Sequence, residues 1–239
     1  MFPTVLPITT LSTFLLVGLI VFGAIRYSRS QVQQTDLNLV IAIDCSFSVN
    51  AREFQLQVEG IATALLSPEV TAAVASGQHG RIGVTIFQWS GPDIQAVVVP
   101  WVVIASPGDA TRVAEELRRQ PRHTAAGETA IGSALDFATE LLDNAPFFAE
   151  RQVIDIQGDG TSTWSRGIPV SEARDRAVAQ GITINGLPIL NEVPHLNRYF
   201  ENHVIGGPGS FVEIADDYRA FAEAMKRKLL REIRPVNLS

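Results

Sequence analysis

The sequence predicts an α/β fold: a doubly wound, mostly parallel sheet with helices on both faces, preceded by one N-terminal hydrophobic helix. Three observations carry this. Short, nearly continuous apolar runs rich in β-branched residues alternate with stretches whose apolar residues recur at helical spacing. The chain's 239 residues, 46% of them hydrophobic, are ample for one buried core. Only one stretch, residues 5–25, is long and apolar enough to cross a bilayer.

That stretch, VLPITTLSTFLLVGLIVFGAI, is 21 residues without a charge. As a helix it would rise about 30 Å, the thickness of the hydrocarbon layer. Residues 1–30 therefore read as a membrane anchor or a signal peptide. A signal peptide usually has a basic start, a shorter apolar core and a small-residue cleavage site. No Lys or Arg precedes this stretch, and Val21-Phe22-Gly23 is its one weak cleavage candidate, so an uncleaved anchor is favoured. Arg26 and Arg29 favour a cytoplasmic side for the following flank, but two arginines are a weak vote and leave the orientation open. Residues 31–36 form a polar tether, which leaves 37–234 for the folded domain.

Within that domain LNLVIAID (37–44) reads as a buried strand ending in a carboxylate. Residues 50–66 place Phe54, Val58, Ile61 and Leu65 on one helical face. RIGVTIFQW (81–89) and IQAVVVPWVVI (94–104) flank the turn cluster Ser90-Gly91-Pro92-Asp93 and predict an antiparallel hairpin or neighbouring strands. Helices are expected over 109–119 and 129–143, a strand over 151–157, a helix over 170–180 and a strand over 182–190. SFVEIA (210–215) predicts a short strand, and 216–233 a helix striped by Tyr218, Phe221, Met225, Leu229 and Ile233. Residues 191–209 read as a long irregular connection.

Composition narrows the function classes. A chain with 18% charged residues and this apolar content is not disordered. A net charge of −6 and a pI near 5.2 argue against nucleic acid as a partner. A single cysteine, Cys45, excludes an internal disulfide framework and a cysteine-based zinc knuckle, and leaves the compartment open.

In open α/β sheets ligands gather beyond the carboxyl ends of the strands. Two strand ends here are rich in oxygen. The first runs into Asp44-Cys45-Ser46-Phe47-Ser48, a D-x-S-x-S pattern, and a later one into Gly158-Asp159-Gly160-Thr161-Ser162. Between them, Gly127-Glu128-Thr129 opens a helix. If the three segments converge, two carboxylates and several hydroxyls surround one point, a donor set suited to a hard divalent cation. Alternation would put the oxygens of Asp44, Ser46 and Ser48 on one side while Cys45 and Phe47 point into packing. Gly158 and Gly160 suit unusual backbone angles or a close approach.

These segments resemble the metal-ion-dependent adhesion site of the von Willebrand factor type A domain, which combines D-x-S-x-S with a distal Thr and a distal Asp. The matching positions are Asp44, Ser46, Ser48, Thr129 and Asp159. From about 37 to 232 the chain also resembles a bacterial family of unknown function with this fold, through LNLVIAIDCSFSV, IGVTIFQWSG, VPWVVI, HTAAGETAIGSAL and VIDIQGDGTST. Phe47 and Glu128 stand where glycine is common, and neither removes a ligand. The resemblance implies Mg²⁺, with Mn²⁺ or Ca²⁺ as alternatives, bridging to the Asp or Glu of a protein partner. It also implies a possible switch in which coordination shifts between Thr129 and Asp159. The expected location is a membrane-anchored or exported one, at the periplasmic face of a bacterial inner membrane.

Other residues have plainer readings. Ser46 and Ser48 could cap the following helix. Asp155, inside its strand, reads as a supporting or structural carboxylate rather than a ligand. His79, His123, His195 and His203 lack metal-ligand spacing. Trp89 and Trp101 read as core or rim packing, and Trp164 either as packing or as part of the binding face. Lys226, Arg227, Lys228, Arg231 and Arg234 predict a solvated basic helix face, with contact to anionic lipid or an acidic partner as the alternative. The favoured function is a non-enzymatic, cation-dependent protein-binding module. Its rivals are a structural subunit of a membrane assembly and a metal-dependent hydrolase. The sequence offers the hydrolase no Ser-His-Asp order, no P-loop and no His base beside the motifs.

Overall fold

The structure is a computed structural model and describes residues 32–123, 127–163 and 167–234. The expected N-terminal hydrophobic helix and Trp164 lie outside the described residues. In chain order the elements are β1 (Asn38–Asp44), α1 (Ala51–Leu66), α2 (Pro68–Ala75), β2 (Ile82–Trp89), β3 (Gln95–Ile104), α3 (Pro107–Arg119), α4 (Ile131–Asp143), β4 (Gln152–Gly158), α5 (Val170–Ala179), β5 (Thr183–Pro188), α6 (Leu196–Tyr199) and α7 (Phe221–Ile233). One sheet runs in the order β3-β2-β1-β4-β5. β1 pairs in parallel with β2 and β4, β4 pairs in parallel with β5, and β3 is the antiparallel partner of β2, as the Ser90–Asp93 turn cluster predicts.

The strands owe their length to burial. Every residue of β1 and β2 is buried, which is what continuous apolar runs at the centre of a two-faced sheet require. Leu39, Ile41 and Ile43 pack with the inner faces of α1, α2, α3 and α7. Val40 and Ala42 on the opposite face pack with Ile131, Leu135 and Leu142 of α4 and with Ala173 and Ala177 of α5. α1 starts at a capping box: Asn50 accepts from the backbone of Arg52 and Glu53, and the Glu53 carboxylate accepts from the Asn50 N–H.

Several boundaries differ from the sequence reading. A short helix, α2, follows α1, because Ser67 caps and Pro68 starts a new helix instead of extending the old one. The expected strand over 210–215 is reduced to single bridges, Gly186 with Val212 and Ile189 with Ala215. The N–H of Phe211 is taken by the Asn185 side chain at 3.1 Å, not by a strand ladder. α7 begins only at Phe221, since the Asp217 carboxylate holds the amides of Arg219 and Ala220 in a turn before it. The connection over 191–209 contains α6 and a π-helical turn, Phe200–Val204, which bury Leu196, Phe200 and Val204 in the second core. Phe200 lies so close to β5 that a Cβ on Gly186 would meet its ring at 2.5 Å. The folded body also begins ahead of Leu37: Thr35 is buried, and Asp36 accepts from the amides of His79 and Arg81. Among the described residues no single helix is long and apolar enough to cross a membrane.

The basic face of α7 is corrected most sharply at Lys228. It is fully buried, with Nζ 2.7 Å from Asp155 and 2.6 Å from Glu232. Asn185 donates to the same Glu232 oxygen at 2.9 Å. Arg227, Arg231 and Arg234 stay exposed, as a solvated face requires; Arg227 pairs with Glu213 at 2.7 Å, and Arg231 lies 3.8 Å over the ring of Phe211.

Two carboxylates around one ammonium leave the cluster with excess negative charge unless it holds a proton. Burial, and after it the charge of Asp155, raise Glu232 to about 7 against the pull of Lys228. The ordinary value is 4.5. Between the two values the folded chain keeps a proton that the unfolded chain releases, so stability falls as pH rises through that window. Glu232→Gln is expected to flatten part of the fall and to be more stable than wild type at pH 8. Urea unfolding of both proteins at pH 5 and pH 8 checks this; an equal fall in both would place the proton elsewhere.

Candidate metal centre

β1 and β4 are parallel neighbours, but their chains leave in opposite directions along the sheet, β1 towards β2 and β4 towards β5. The connections diverge there and open a crevice at the carboxyl ends. Asp44 is the last residue of β1, and Asp159 follows the last residue of β4. The register Ala42↔Ile156, carried two residues further, sets Asp44 level with Gly158. A Cβ on Gly158 would come within 3.1 Å of Asp44 Oδ2, so this glycine admits the carboxylate. Gly160 shows only ordinary contact, with Thr129 Oγ1 at 3.8 Å from its would-be Cβ, and neither glycine has a positive φ.

The expected site residues meet as follows. Asp44 and Ser46 are fully buried, and Asp159 and Thr129 nearly so. Asp44 Oδ1 accepts from the Ser46 N–H at 2.7 Å. The hydroxyls of Ser46 and Ser48 are 3.3 Å apart, and Ser48 donates to Asp159 Oδ1 at 2.6 Å. Thr129 sits in the segment before α4, beside the loop that follows β4. Its N–H donates to Thr163 Oγ1 at 3.1 Å, and its carbonyl accepts from Ser162 Oγ at 3.0 Å. Four of the five positions thus form one hydrogen-bonded chain, and Thr129 flanks it through Gly160. Asp155 is not among them, because it faces Lys228.

The electrostatics are strained in one direction. Asp44 Oδ2 is buried with no hydrogen-bond partner. Burial, and then the nearby Asp159 charge, raise the Asp44 carboxyl to about 7, while Ser46 and Arg122 pull it down. The donor set is hard: two carboxylates and three hydroxyls, with Cys45 buried to one side. No group of three His, Cys, Asp or Glu stands together among the described residues. An orphaned carboxylate oxygen, a second carboxylate and flanking hydroxyls fit a small divalent cation better than they fit the protein alone.

Residues that carry no motif hold this arrangement. Arg122 donates to the carbonyls of Val49 at 2.7 Å and Ser46 at 3.1 Å, and also to that of Cys45. Gln57 of α1 donates to the Asp44 carbonyl at 3.0 Å. Tyr218, counted from the sequence as part of an apolar stripe, donates its hydroxyl to Asp159 Oδ2 at 2.9 Å. A glutamine on an otherwise apolar helix face was a visible signal for Gln57. Arg122 had none, since its role depends on a loop that comes back beneath D-x-S-x-S. Phe47 overturns one expectation: it is 83% exposed instead of packed. Its N–H is spent on the Gly127 carbonyl at 2.9 Å, which turns the side chain outward.

The sheet order, with helices on both faces, is that of a von Willebrand factor type A-like fold. The chain belongs to the family described as Protein of unknown function (DUF1194), matched over residues 34–237. No match was found among the curated proteins. Solved structures of similar fold include proximal thread matrix protein 1 from the mussel byssus with a zinc-occupied MIDAS motif (15% identity, TM-score 0.55, 84% of this chain and 48% of that one). The von Willebrand factor type A protein of Catenulispora acidiphila aligns at 17% identity and TM-score 0.57, over 84% of this chain and 43% of that one. The vWF domain of the type V pili tip protein Mfa5 from Porphyromonas gingivalis aligns at 9% identity and TM-score 0.57, over 86% and 99%. The chain spans about half the length of the mussel protein.

Asp44→Asn separates stability from binding. The amide removes a buried, unpaired charge beside Asp159, so the cation-free variant is expected to be more stable than wild type at pH 8, by about 1 kcal/mol or more. Chemical denaturation in EDTA measures it, and a loss of stability would mean that Asp44 is already neutralised by the protein.

Proposed function

We propose that the chain is a non-enzymatic, divalent-cation-dependent protein-binding module. The observation that carries this reading is the pair Asp44 and Asp159, two buried carboxylates brought together at the sheet's switch point, with one oxygen left unpartnered. Asp44, Ser46, Ser48, Thr129 and Asp159 would hold the ion, Mg²⁺ by preference, with Mn²⁺ or Ca²⁺ as alternatives. When bound, the cation supplies a positive charge that attracts the Asp or Glu of a partner. The rest falls to the protein's own groups. Ser46, Ser48 and Thr129 offer neutral oxygens, which keep the ion under-neutralised and so receptive to an anionic ligand. Tyr218 fixes one oxygen of Asp159, and Arg122 fixes the loop that carries the serines. The zinc-occupied motif of the mussel protein supports cation binding on this fold. The pili tip protein, with the charge-free stretch at 5–25, supports a place at the cell envelope. Retention by residues 1–30 as an anchor, ahead of a folded domain on the periplasmic face of a bacterial inner membrane, is part of the same proposal.

Mg²⁺ is expected to raise the unfolding free energy of the wild-type chain by about 2.7 kcal/mol at a hundred times its dissociation constant. Ser48→Ala is expected to reduce that gain and Asp44→Ala to abolish it, as read by thermal unfolding with and without EDTA. Capture of a partner that survives both EDTA and Asp44→Ala would favour the structural-subunit reading. Turnover abolished by Asp159→Ala would favour a hydrolase.

A further inference from the structure

Phe47 is the most exposed large apolar side chain among the described residues, at 83%. Single exposed apolar residues are common and carry no message by themselves. Phe148 and Val32 are of that kind, lying at the far end of the sheet, where the chain enters β1. Phe47 differs in position. It stands between Ser46 and Ser48, whose hydroxyls form one chain with Asp159. Its N–H is bonded to the carbonyl of Gly127, two residues before Thr129. The ring therefore rises from the seam between the two loops that bring hydroxyls to the site.

The loop beneath it is fixed. Cys45, Ser46 and Val49 are buried, and their three carbonyls are all held by Arg122. Phe47 thus projects from a rigid base instead of from a mobile tip. An aromatic ring held beside a polar centre is the kind of group that interfaces bury at their core. The crevice itself is acidic, with Asp44 and Asp159 inside it and Glu53 near enough to act on Tyr218. Arg122, the nearby cation, is spent on loop carbonyls, so apart from a bound ion the surface offers an approaching carboxylate little attraction, and the exposed ring offers apolar contact in addition.

Resting on the cation-dependent reading above, we infer that Phe47 forms an apolar subsite beside the ion. The preferred ligand is then a peptide segment of a partner protein in which an Asp or Glu stands next to a large apolar residue. The acid meets the cation while its neighbour covers the ring of Phe47.

The test uses the full-length chain in detergent and an array of heptapeptides that have a fixed central Glu or Asp and are otherwise random. Probing is done in Mg²⁺ and in EDTA, and Mg²⁺ uptake is followed separately by calorimetry. The expected result is Mg²⁺-dependent capture enriched in Leu, Ile, Phe or Met within two positions of the acid. Phe47→Ser should lower the affinity of the best such peptide about tenfold, leave peptides with polar neighbours unchanged, and take up Mg²⁺ as wild type does. Uptake with no peptide capture, capture without the apolar preference, or a preference that survives Phe47→Ser overturns the subsite alone. Absence of Mg²⁺ uptake by the wild-type chain overturns the subsite and the cation-dependent function together.

Discussion

Asp44 and Asp159 are forced together by strand pairing. β1 and β4 are parallel neighbours in a fixed register, and each ends in a carboxylate or just ahead of one. Both side chains are buried, so neither charge can be met by water. A buried charge has to be paired or hydrogen-bonded, or it is neutralised by a proton. What surrounds this pair is largely neutral: the Ser46 N–H, the Ser48 hydroxyl and the Tyr218 hydroxyl, with Arg122 spending its guanidinium on loop carbonyls. The elevated Asp44 value is the consequence. Gly158, the Arg122 clamp and the Gln57 bond to β1 all serve to let this pair exist.

The same sheet contains the alternative solution. Asp155 lies four residues before Asp159 on β4 and is also fully buried, yet it meets Lys228 at 2.7 Å. Where burial of a carboxylate serves packing alone, the fold supplies a lysine from α7. At Asp44 and Asp159 no lysine is within reach of either carboxylate among the described residues, and hydroxyls take the place of a cation. Removing one partner of a buried pair leaves an uncompensated charge worth several kcal/mol. The fold tolerates that condition at the switch point and corrects it two pleat repeats away, and this contrast is what the proposed cation would account for.

The fold was legible because its signals are periodic. Continuous apolar runs gave the buried strands, and 3.6-residue stripes gave α1, α3, α4, α5 and α7 within a few residues. What failed were features decided by single tertiary contacts. Asn185 captures the Phe211 amide and prevents a strand; Lys228 looks solvated until β4 presents Asp155 to it. At the site, the oxygen-rich strand ends were visible in the sequence and the family resemblance singled out five positions among them, whereas nothing pointed to Arg122 or Tyr218. They reach the site from a loop and from the approach to α7, and no local pattern records where those segments return. Phe47 departs from strand alternation because β1 ends at Asp44 and the chain already turns to meet Gly127.

That turn bears on how a ligand would be held. Binding that orders a mobile loop gives up affinity to conformational entropy, while a loop ordered during folding does not. Here the loop is already tied down without a ligand: Arg122 holds the carbonyls of Cys45, Ser46 and Val49, Asn50 caps α1 directly after them, and Gly127 ties Phe47 to the neighbouring loop. The serine hydroxyls and the aromatic ring consequently present one geometry. On the proposed reading, discrimination among partners would come from the match between a carboxylate and its immediate apolar neighbour, not from adjustment of the loop.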